Sequence, residues 1–282
     1  MTPIDIVVPS HAKDIPTLAR TVQAALKHLR PAGQLYVVSR EPFASSDGRV
    51  HWVPEPDGKS FPSVEDVRER LASRGAGTAR STWIYQQLLK LGASEYIDGL
   101  SPSYLVLDSD VIFLRPVSFQ TDSGIRFLYA PAKEEHEPYR ASYVRLLGSP
   151  PTTTTTSLVA HHMLYDRELL SELTSEIARR AARAWHEAYV DATDPAEPSS
   201  ISEFNTYGWW VLERHPALAL ARPLAWQNLR SVPLALEQRL LARRYDFVAA
   251  HEHSRSTGAR AIVEPPARVV RHLRRLAGAG RE

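Results

Sequence analysis

The sequence lacks cysteine, has no long apolar run and carries little excess charge of either sign. Without cysteine there are no disulfides, thiolate nucleophiles or sulfur ligands for zinc, so only oxygen and imidazole remain to bind a metal ion. Such ligands favour hard ions such as Mg²⁺ or Mn²⁺. The 34 Lys and Arg residues nearly balance the 32 Asp and Glu residues, so we expect no nucleic-acid partner.

No stretch of the sequence is long and apolar enough to span a bilayer. The chain enters a strand-like run at Ile4 without the basic and apolar regions of a signal peptide. We therefore expect a cytoplasmic protein. Its 282 residues, of which 43% are hydrophobic, are enough to bury a substantial core.

Strand-like runs alternate with helical spacing over the first 116 residues. This order predicts an α/β fold with a mostly parallel, twisted sheet and helices on its faces. Strands are predicted at 4–9, 35–38, 50–53 and 104–107, with helices opening at Pro16, at Ser63 and near Trp83. Short strands and long helices follow, the helices at 167–189 and 202–214, and then a late strand at 246–250.

The strongest functional signal is the segment 105–116, which reads LVLDSDVIFLRP. An apolar strand delivers Asp108 and Asp110 to the carboxyl edge of the sheet, where open α/β folds bind ligands. Asp-x-Asp is common in solvated turns. Here both flanks are apolar, and two buried carboxylates repel unless a cation lies between them. We therefore predict a divalent metal ion at Asp108 and Asp110.

This segment resembles the Asp-x-Asp motif of glycosyltransferases of the GT-A fold. The resemblance implies transfer of a sugar from a nucleotide diphosphate sugar to a hydroxyl group, with Mn²⁺ or Mg²⁺ stabilising the leaving diphosphate. The acceptor would be a sugar, a lipid-linked molecule or a small molecule. The resemblance also implies a single domain with a Rossmann-like nucleotide-sugar-binding half (1–116), a helical acceptor-side half (117–264) and a basic C-terminal helix or tail (265–282).

The resemblance extends to other candidate ligands of the donor. The turn after the first strand, with Ser10, His11 and Asp14, would meet the base and ribose, and Arg40 is a further candidate for donor binding. The alternative for this turn is a helix cap. Arg80 precedes a helix whose free amides favour phosphate, although a solvated arginine remains the alternative.

Two histidines after the late strand are candidate metal ligands. His251 and His253 alternate, so in extended backbone both point the same way. The resemblance implies a third metal ligand at His251. The alternative is a polar surface pair.

Two residues of the second half are candidates for catalysis. Glu203 would deprotonate the acceptor hydroxyl, and His161 would reach the donor sugar or acceptor. The aromatic residues at 204, 207 and 210 have helical spacing and are expected in the core, which would leave Glu203 to face the cleft. For His161 a structural role is the alternative.

Arginines alternate with apolar residues in the C-terminal segment, which predicts a basic amphipathic helix in contact with an anionic membrane surface or with solvent.

Three other functions stay open for the chain. A haloacid dehalogenase-type phosphatase also carries Asp-x-Asp after an apolar strand. A sugar nucleotidyltransferase would need a glycine-rich phosphate loop, which residues 8–11 lack. A non-catalytic carbohydrate-binding protein would bind sugar but not nucleotide.

Overall fold

The computed structural model describes residues 3–129, 136–152, 157–197, 199–229 and 231–250. The helices are α1 (Ile15–His28), α2 (Val64–Ser73), α3 (Ser81–Leu91), α4 (Ala93–Tyr96), α5 (Glu137–Leu147), α6 (Arg167–Ala181), α7 (Trp185–Asp191), α8 (Glu203–Arg214) and α9 (Ala235–Leu241). The strands are β1 (Ile4–Pro9), β2 (Leu29–Arg30), β3 (Ala32–Ser39), β4 (Val50–Pro54), β5 (Ser103–Leu107), β6 (Val111–Phe113), β7 (Val117–Ser118), β8 (Arg126–Tyr129), β9 (His162–Asp166), β10 (Ala219–Arg222), β11 (Trp226–Asn228) and β12 (Phe247–Ala249). No helix among these residues has both the length and the apolar character needed to cross a bilayer.

The main sheet has the order β4-β3-β1-β5-β9. Its first four strands are parallel, and β9 is antiparallel to β5 at the edge. Helices cover the sheet, which confirms the predicted α/β class with a mostly parallel sheet. Because β1, β3, β4 and β5 run the same way, their carboxyl ends lie along one edge.

Alternate residues of the central strands pack on opposite faces of the sheet. Tyr104 and Val106 of β5 join the core cluster that includes α2, α3, α6, α7 and α8. Leu105 and Leu107 join the cluster on the other side, which includes α1, β6 and β12. Asp108 continues this two-residue alternation, so its side chain points to the face of the sheet that α3 and α8 cover.

Strand β9 was not predicted, and it comes from the part of the chain after residue 116. Its register pairs Leu107 with His162 and Ser103 with Asp166. The two predicted halves of the chain therefore share one sheet. The run from His162 to Asp166 is buried throughout, so it shows no alternation of apolar and polar residues that would mark a strand.

The structure confirms two helix starts and corrects one helix. Ser63 forms the predicted capping box with Asp66 at the start of α2. Ser202 caps α8, whose aromatic residues Phe204, Tyr207 and Trp210 are buried in the core as expected. The single helix expected at 167–189 is wrong. It breaks at Ala182, which has a φ of 52°, and the chain resumes as α7.

The helix breaks because of tertiary contacts. Trp185, the first residue of α7, is buried, packs near Phe61 and donates its indole N–H to Glu95 at 2.9 Å. Residues 181–184 are mostly alanine, which gives no stop signal in the sequence. Burial of the indole therefore overrides local helix propensity.

A second, three-stranded sheet has the order β11-β12-β6. Strand β6 follows Asp110 directly and is antiparallel to β12. The apolar residues on the two sides of the Asp-x-Asp motif therefore belong to different sheets. This explains why both flanks are buried while the motif lies in the turn between them.

Asp166 connects β9 to α6, so its removal should destabilise the fold. One carboxylate oxygen accepts from the backbone N–H groups of Glu168 and Leu169 at 3.0 and 3.1 Å, and the other pairs with Arg126. We expect Asp166→Ala to lower the free energy of unfolding in urea by about 2–4 kcal/mol. The exposed Asp98→Ala control should change it by less than about 0.5 kcal/mol. Equal stability of the two variants would contradict this role.

Candidate functional site

The Asp-x-Asp motif forms the turn between β5 and β6. Thr21 of α1 donates its hydroxyl to the Ser109 carbonyl at 2.8 Å, and the Ala250 N–H donates to the Asp110 carbonyl at 3.0 Å. Asp110 is 9% exposed, whereas the side chain of Asp108 is 20% exposed. The backbone of the turn is thus fixed from α1 and from the end of β12, at the carboxyl edge of the parallel strands.

A buried lysine lies between two carboxylates at this edge. Lys90 of α3 donates its ammonium to Asp108 Oδ1 at 2.5 Å and to Glu203 Oε1 at 2.6 Å. Lys90 and Glu203 are each only 4% exposed. The ammonium also lies 4.5 Å from the centre of the Phe204 ring. We call these three residues, Lys90, Asp108 and Glu203, the lysine–carboxylate cluster.

The charges of this cluster stabilise one another. Burial alone would raise the pKa of Asp108, but the Lys90 ammonium and a contact with His161 outweigh it and hold that pKa well below its usual range. Burial opposes the charge of Lys90, yet the two carboxylates raise its pKa above the ordinary value. Burial raises the pKa of Glu203, against the effect of Lys90. At neutral pH the cluster therefore contains a lysine cation and an ionised Asp108.

Lys90 changes the argument for a metal ion. The sequence required a cation because Asp108 follows an apolar strand, and the structure provides that cation from within the chain. Lys90 was missed, although it left a signal. It is the one charged residue in the run LLKL at 88–91, and a lysine in an apolar run needs a buried partner.

A hydrogen-bond network holds α3 and α8 in place around the cluster. Gln87 lies one turn before Lys90 and accepts at its side-chain oxygen from the Tyr189 hydroxyl at 2.6 Å. The same oxygen accepts from the backbone N–H of Glu203 at 3.1 Å, and the Gln87 amide donates to the Ile201 carbonyl at 3.3 Å. The start of α8, and with it Glu203, is thereby fixed beside Lys90.

His161 is joined to the cluster from the end of the loop before β9. Its Nδ1 lies 3.3 Å from Asp108 Oδ2, and its carbonyl accepts from the Asp108 N–H at 2.9 Å. The ring meets the Trp226 ring edge-on at 4.9 Å. His161 has a φ of 62°, a conformation that costs a non-glycine residue about 1–3 kcal/mol and that is concentrated at functional sites.

The sequence analysis predicted that Glu203 faces an open cleft, and this prediction is wrong. The Glu203 side chain is buried, and one oxygen is bound to Lys90. The helical spacing correctly placed the aromatic residues of α8 in the core. It gave no sign that Lys90 of α3 packs against the first turn of α8.

The turn after β1 lies at the same edge of the sheet. Ser10 is buried, donates its N–H to the Val38 carbonyl at 2.8 Å and bonds the His11 carbonyl through its hydroxyl at 3.5 Å. His11 is exposed. Asp14 occupies the cap position of α1 but makes no side-chain capping bond, so the capping alternative is not supported.

Arg40 and Arg80 lie in different places. Arg80 precedes α3, with its guanidinium 5.8 Å from the Trp83 ring. Lys90 is ten residues further on, about 15 Å along the helix, so the start of α3 is remote from the lysine–carboxylate cluster. Arg40 follows β3 and lies 3.7 Å from Glu55 and 3.8 Å from Glu65.

Arg40 and Glu55 line a cavity of about 440 Å³ beyond the ends of β3 and β4, which we call the edge cavity. Asp57, Ser63 and Glu65 complete its polar lining. Glu55 was missed by the sequence analysis. Its position directly after a predicted strand, at the edge where ligands bind, is the signal that would have found it.

His251 and His253 lie outside the described residues. Within the described ranges, no group of three or more histidine, aspartate or glutamate side chains is placed to hold a metal ion. The described candidates for metal ligands are therefore the two carboxylates Asp108 and Asp110.

Removing the Lys90 ammonium should leave two carboxyl groups without their cation. We expect Lys90→Met to lower the free energy of unfolding by about 3–5 kcal/mol in urea at pH 7. Adding Glu203→Gln to this variant should recover part of the loss, since one buried charge is gone. Glu203→Gln alone should lower the free energy of unfolding less than Lys90→Met does, because Asp108 keeps its ion pair with Lys90. A Lys90→Met variant as stable as wild type would contradict this account.

His162 should make the protein sensitive to acid. It is 1% exposed among Phe113, Phe119 and Phe247, and burial lowers its pKa to about 3. Below a pH of about 6.5 the unfolded chain takes up this proton and the folded chain does not, so stability falls with falling pH. The free energy of unfolding in urea should fall between pH 7 and pH 4.5. We expect this fall to be smaller by about 2–3 kcal/mol in His162→Leu than in the wild type.

The exposed His51→Leu variant is the matched control for His162→Leu. It should follow the pH dependence of the wild type. An unchanged slope for His162→Leu would show that the acid sensitivity arises elsewhere.

No curated protein matches the chain. A family model matches residues 34–221, more than half of the chain, and the match includes the edge cavity, the lysine–carboxylate cluster, Asp110 and His161. The chain therefore belongs to the family of unknown function DUF6492.

Proposed function

We propose that the protein is a GT-A-type glycosyltransferase that moves a sugar from a nucleoside diphosphate sugar to an acceptor hydroxyl. The observation that carries the proposal is the position of Asp108 and Asp110. They lie in the turn beyond the carboxyl end of β5, beside β1, where open α/β sheets bind their ligands. A diphosphate bound there would need positive charge to offset these carboxylates.

The described residues fit a hard divalent ion. Mg²⁺ is commonly held by one or two carboxylates, with phosphate oxygens and water completing its shell. The Asp108 oxygens that contact Lys90 and His161 each have a further lone pair. The bound ion would neutralise charge on the leaving diphosphate.

Lys90 has two roles in this proposal. It orients the Asp108 carboxylate, because the ammonium bonds Oδ1 within a packed interior. It also adds positive charge beneath the motif, which reduces the repulsion between Asp108 and an incoming diphosphate. Both effects are strong here because the cluster is largely shielded from water.

Glu203 acts through Lys90 and is a positioning residue in this proposal. A base for the acceptor would need an oxygen within hydrogen-bond reach of the acceptor hydroxyl. Glu203 is buried and bonds Lys90. The protein therefore uses Glu203 to hold the lysine in place.

A panel of nucleoside diphosphate sugars tests the proposal by thermal unfolding with Mn²⁺ or with EDTA. A donor that binds the native state raises the melting temperature. We expect at least one donor to raise it in the presence of Mn²⁺ but not in the presence of EDTA. Release of nucleoside diphosphate from that donor then measures turnover. Asp110→Asn should lower the release at least about 100-fold, whereas the exposed Asp98→Asn should not.

Three results would contradict the proposal. The first is full turnover by Asp110→Asn. The second is metal-dependent hydrolysis of p-nitrophenyl phosphate with no stabilisation by any donor, which would favour the phosphatase. The third is stabilisation by free sugars that does not depend on nucleotide, which would favour a carbohydrate-binding protein.

A further inference from the structure

The edge cavity lies at the same sheet edge as the lysine–carboxylate cluster. Arg40 follows β3 directly, and Glu55 follows β4. Its volume of about 440 Å³ is within the usual range of small-molecule sites. The cavity therefore has the place and the size of a subsite for part of a bound nucleotide.

Helix α3 connects the edge cavity to the lysine–carboxylate cluster. Tyr85 of α3 donates its hydroxyl to the carbonyl of Pro56 at 3.4 Å, and Pro56 lines the edge cavity. Lys90, five residues later, contacts Asp108. Five helical residues span about 7.5 Å. This separation suits a nucleoside in the cavity whose diphosphate reaches the Asp-x-Asp motif.

The turn after β1 is tied to α3 between the two. Ser10 and His11 directly follow Pro9, the last residue of β1. Pro9 before them accepts at its carbonyl from the Gln86 amide at 3.1 Å, which ties the turn to α3.

Arg40 and Glu55 are paired loosely. The closest nitrogen–oxygen distance is 3.7 Å, beyond a hydrogen bond, and the Arg40 side chain is 65% exposed while that of Glu55 is 18% exposed. Two carboxylate oxygens that only accept thus lie beside a guanidinium that only donates. A ligand with two adjacent donors and one neighbouring acceptor would satisfy both.

Among the common nucleobases, guanine has this pattern. Its N1–H and N2–H₂ groups are adjacent donors, and its O6 beside them is an acceptor. Uracil has one donor between two acceptors, and adenine and cytosine place an acceptor next to their single amino group. With uracil, adenine or cytosine in the cavity, one oxygen of the carboxylate would face an acceptor of the base. This costs free energy because that acceptor loses its hydrogen bond to water.

We propose that the edge cavity is the nucleobase subsite and that it selects guanine, with Glu55 accepting from N1–H and N2–H₂ and Arg40 donating to O6. This inference rests on the proposed function. It names the donor class as guanosine diphosphate sugars.

Calorimetry on the full chain with GDP, UDP, CDP and ADP, each with MnCl₂ at pH 7, tests the inference. We expect GDP to bind at least about 10-fold more tightly than the other three, since a bidentate base contact contributes about 1–3 kcal/mol of discrimination. Glu55→Gln should weaken GDP binding about 10-fold without weakening UDP binding, because the glutamine amide presents a donor to the guanine donors and can donate to an acceptor of uracil.

Glu65→Gln is the matched control. It removes the same charge from the lining of the same cavity, but the Glu65 side chain is 55% exposed, so GDP affinity should stay within about twofold. Circular dichroism melting of each variant checks that it is folded. Glu55 is half-buried and its pairing with Arg40 is loose, at 3.7 Å, so we expect both variants to fold.

The outcomes separate this inference from the proposed function. GDP preference that Glu55→Gln abolishes supports both. Tighter binding of UDP, CDP or ADP, or a GDP preference that survives in Glu55→Gln, overturns the guanine assignment and leaves the glycosyltransferase proposal standing. No binding of any nucleoside diphosphate with Mn²⁺ overturns both.

Discussion

The buried ion pairs of Lys90 constrain the rest of this edge of the molecule. An ammonium that is 4% exposed is tolerated only if its charge is compensated, and Asp108 and Glu203 do so at 2.5 and 2.6 Å. These residues come from α3, from the turn after β5 and from the first turn of α8. One cation thus sets the relative positions of three elements that are far apart in the chain.

The two sheets then determine what the Asp-x-Asp turn can do. The residue before it belongs to β5 in the main sheet, and the residue after it belongs to β6 in the second sheet. Hydrogen bonds from Thr21 and Ala250 hold the backbone between them. A turn anchored at both ends presents its carboxylates in a fixed geometry, which is what binding of an ion and a diphosphate would require.

The sequence predicted a divalent ion at Asp108 and Asp110, and this stays a prediction. The structure adds a cation that the sequence analysis did not consider, because Lys90 compensates the charge of Asp108. A divalent ion is therefore no longer required to keep Asp108 charged, and its support in the proposed function comes from the position and donor chemistry of the turn. Glu203 was selected for its polar character beside aromatic residues, yet its neighbour is Lys90, 113 residues earlier in the chain.

Elements with local signals could be predicted from the sequence. Apolar runs placed β1, β3, β4 and β5, the Ser63–Asp66 pair placed the start of α2, and the position of Asp108 at a strand end placed it at the ligand-binding edge. Four features follow only from tertiary structure: the contact of Lys90 with Glu203, the antiparallel pairing of β9, the break before Trp185 and the approach of Arg40 to Glu55. These depend on burial and charge between residues distant in the chain, and such interactions leave no periodic signal along it.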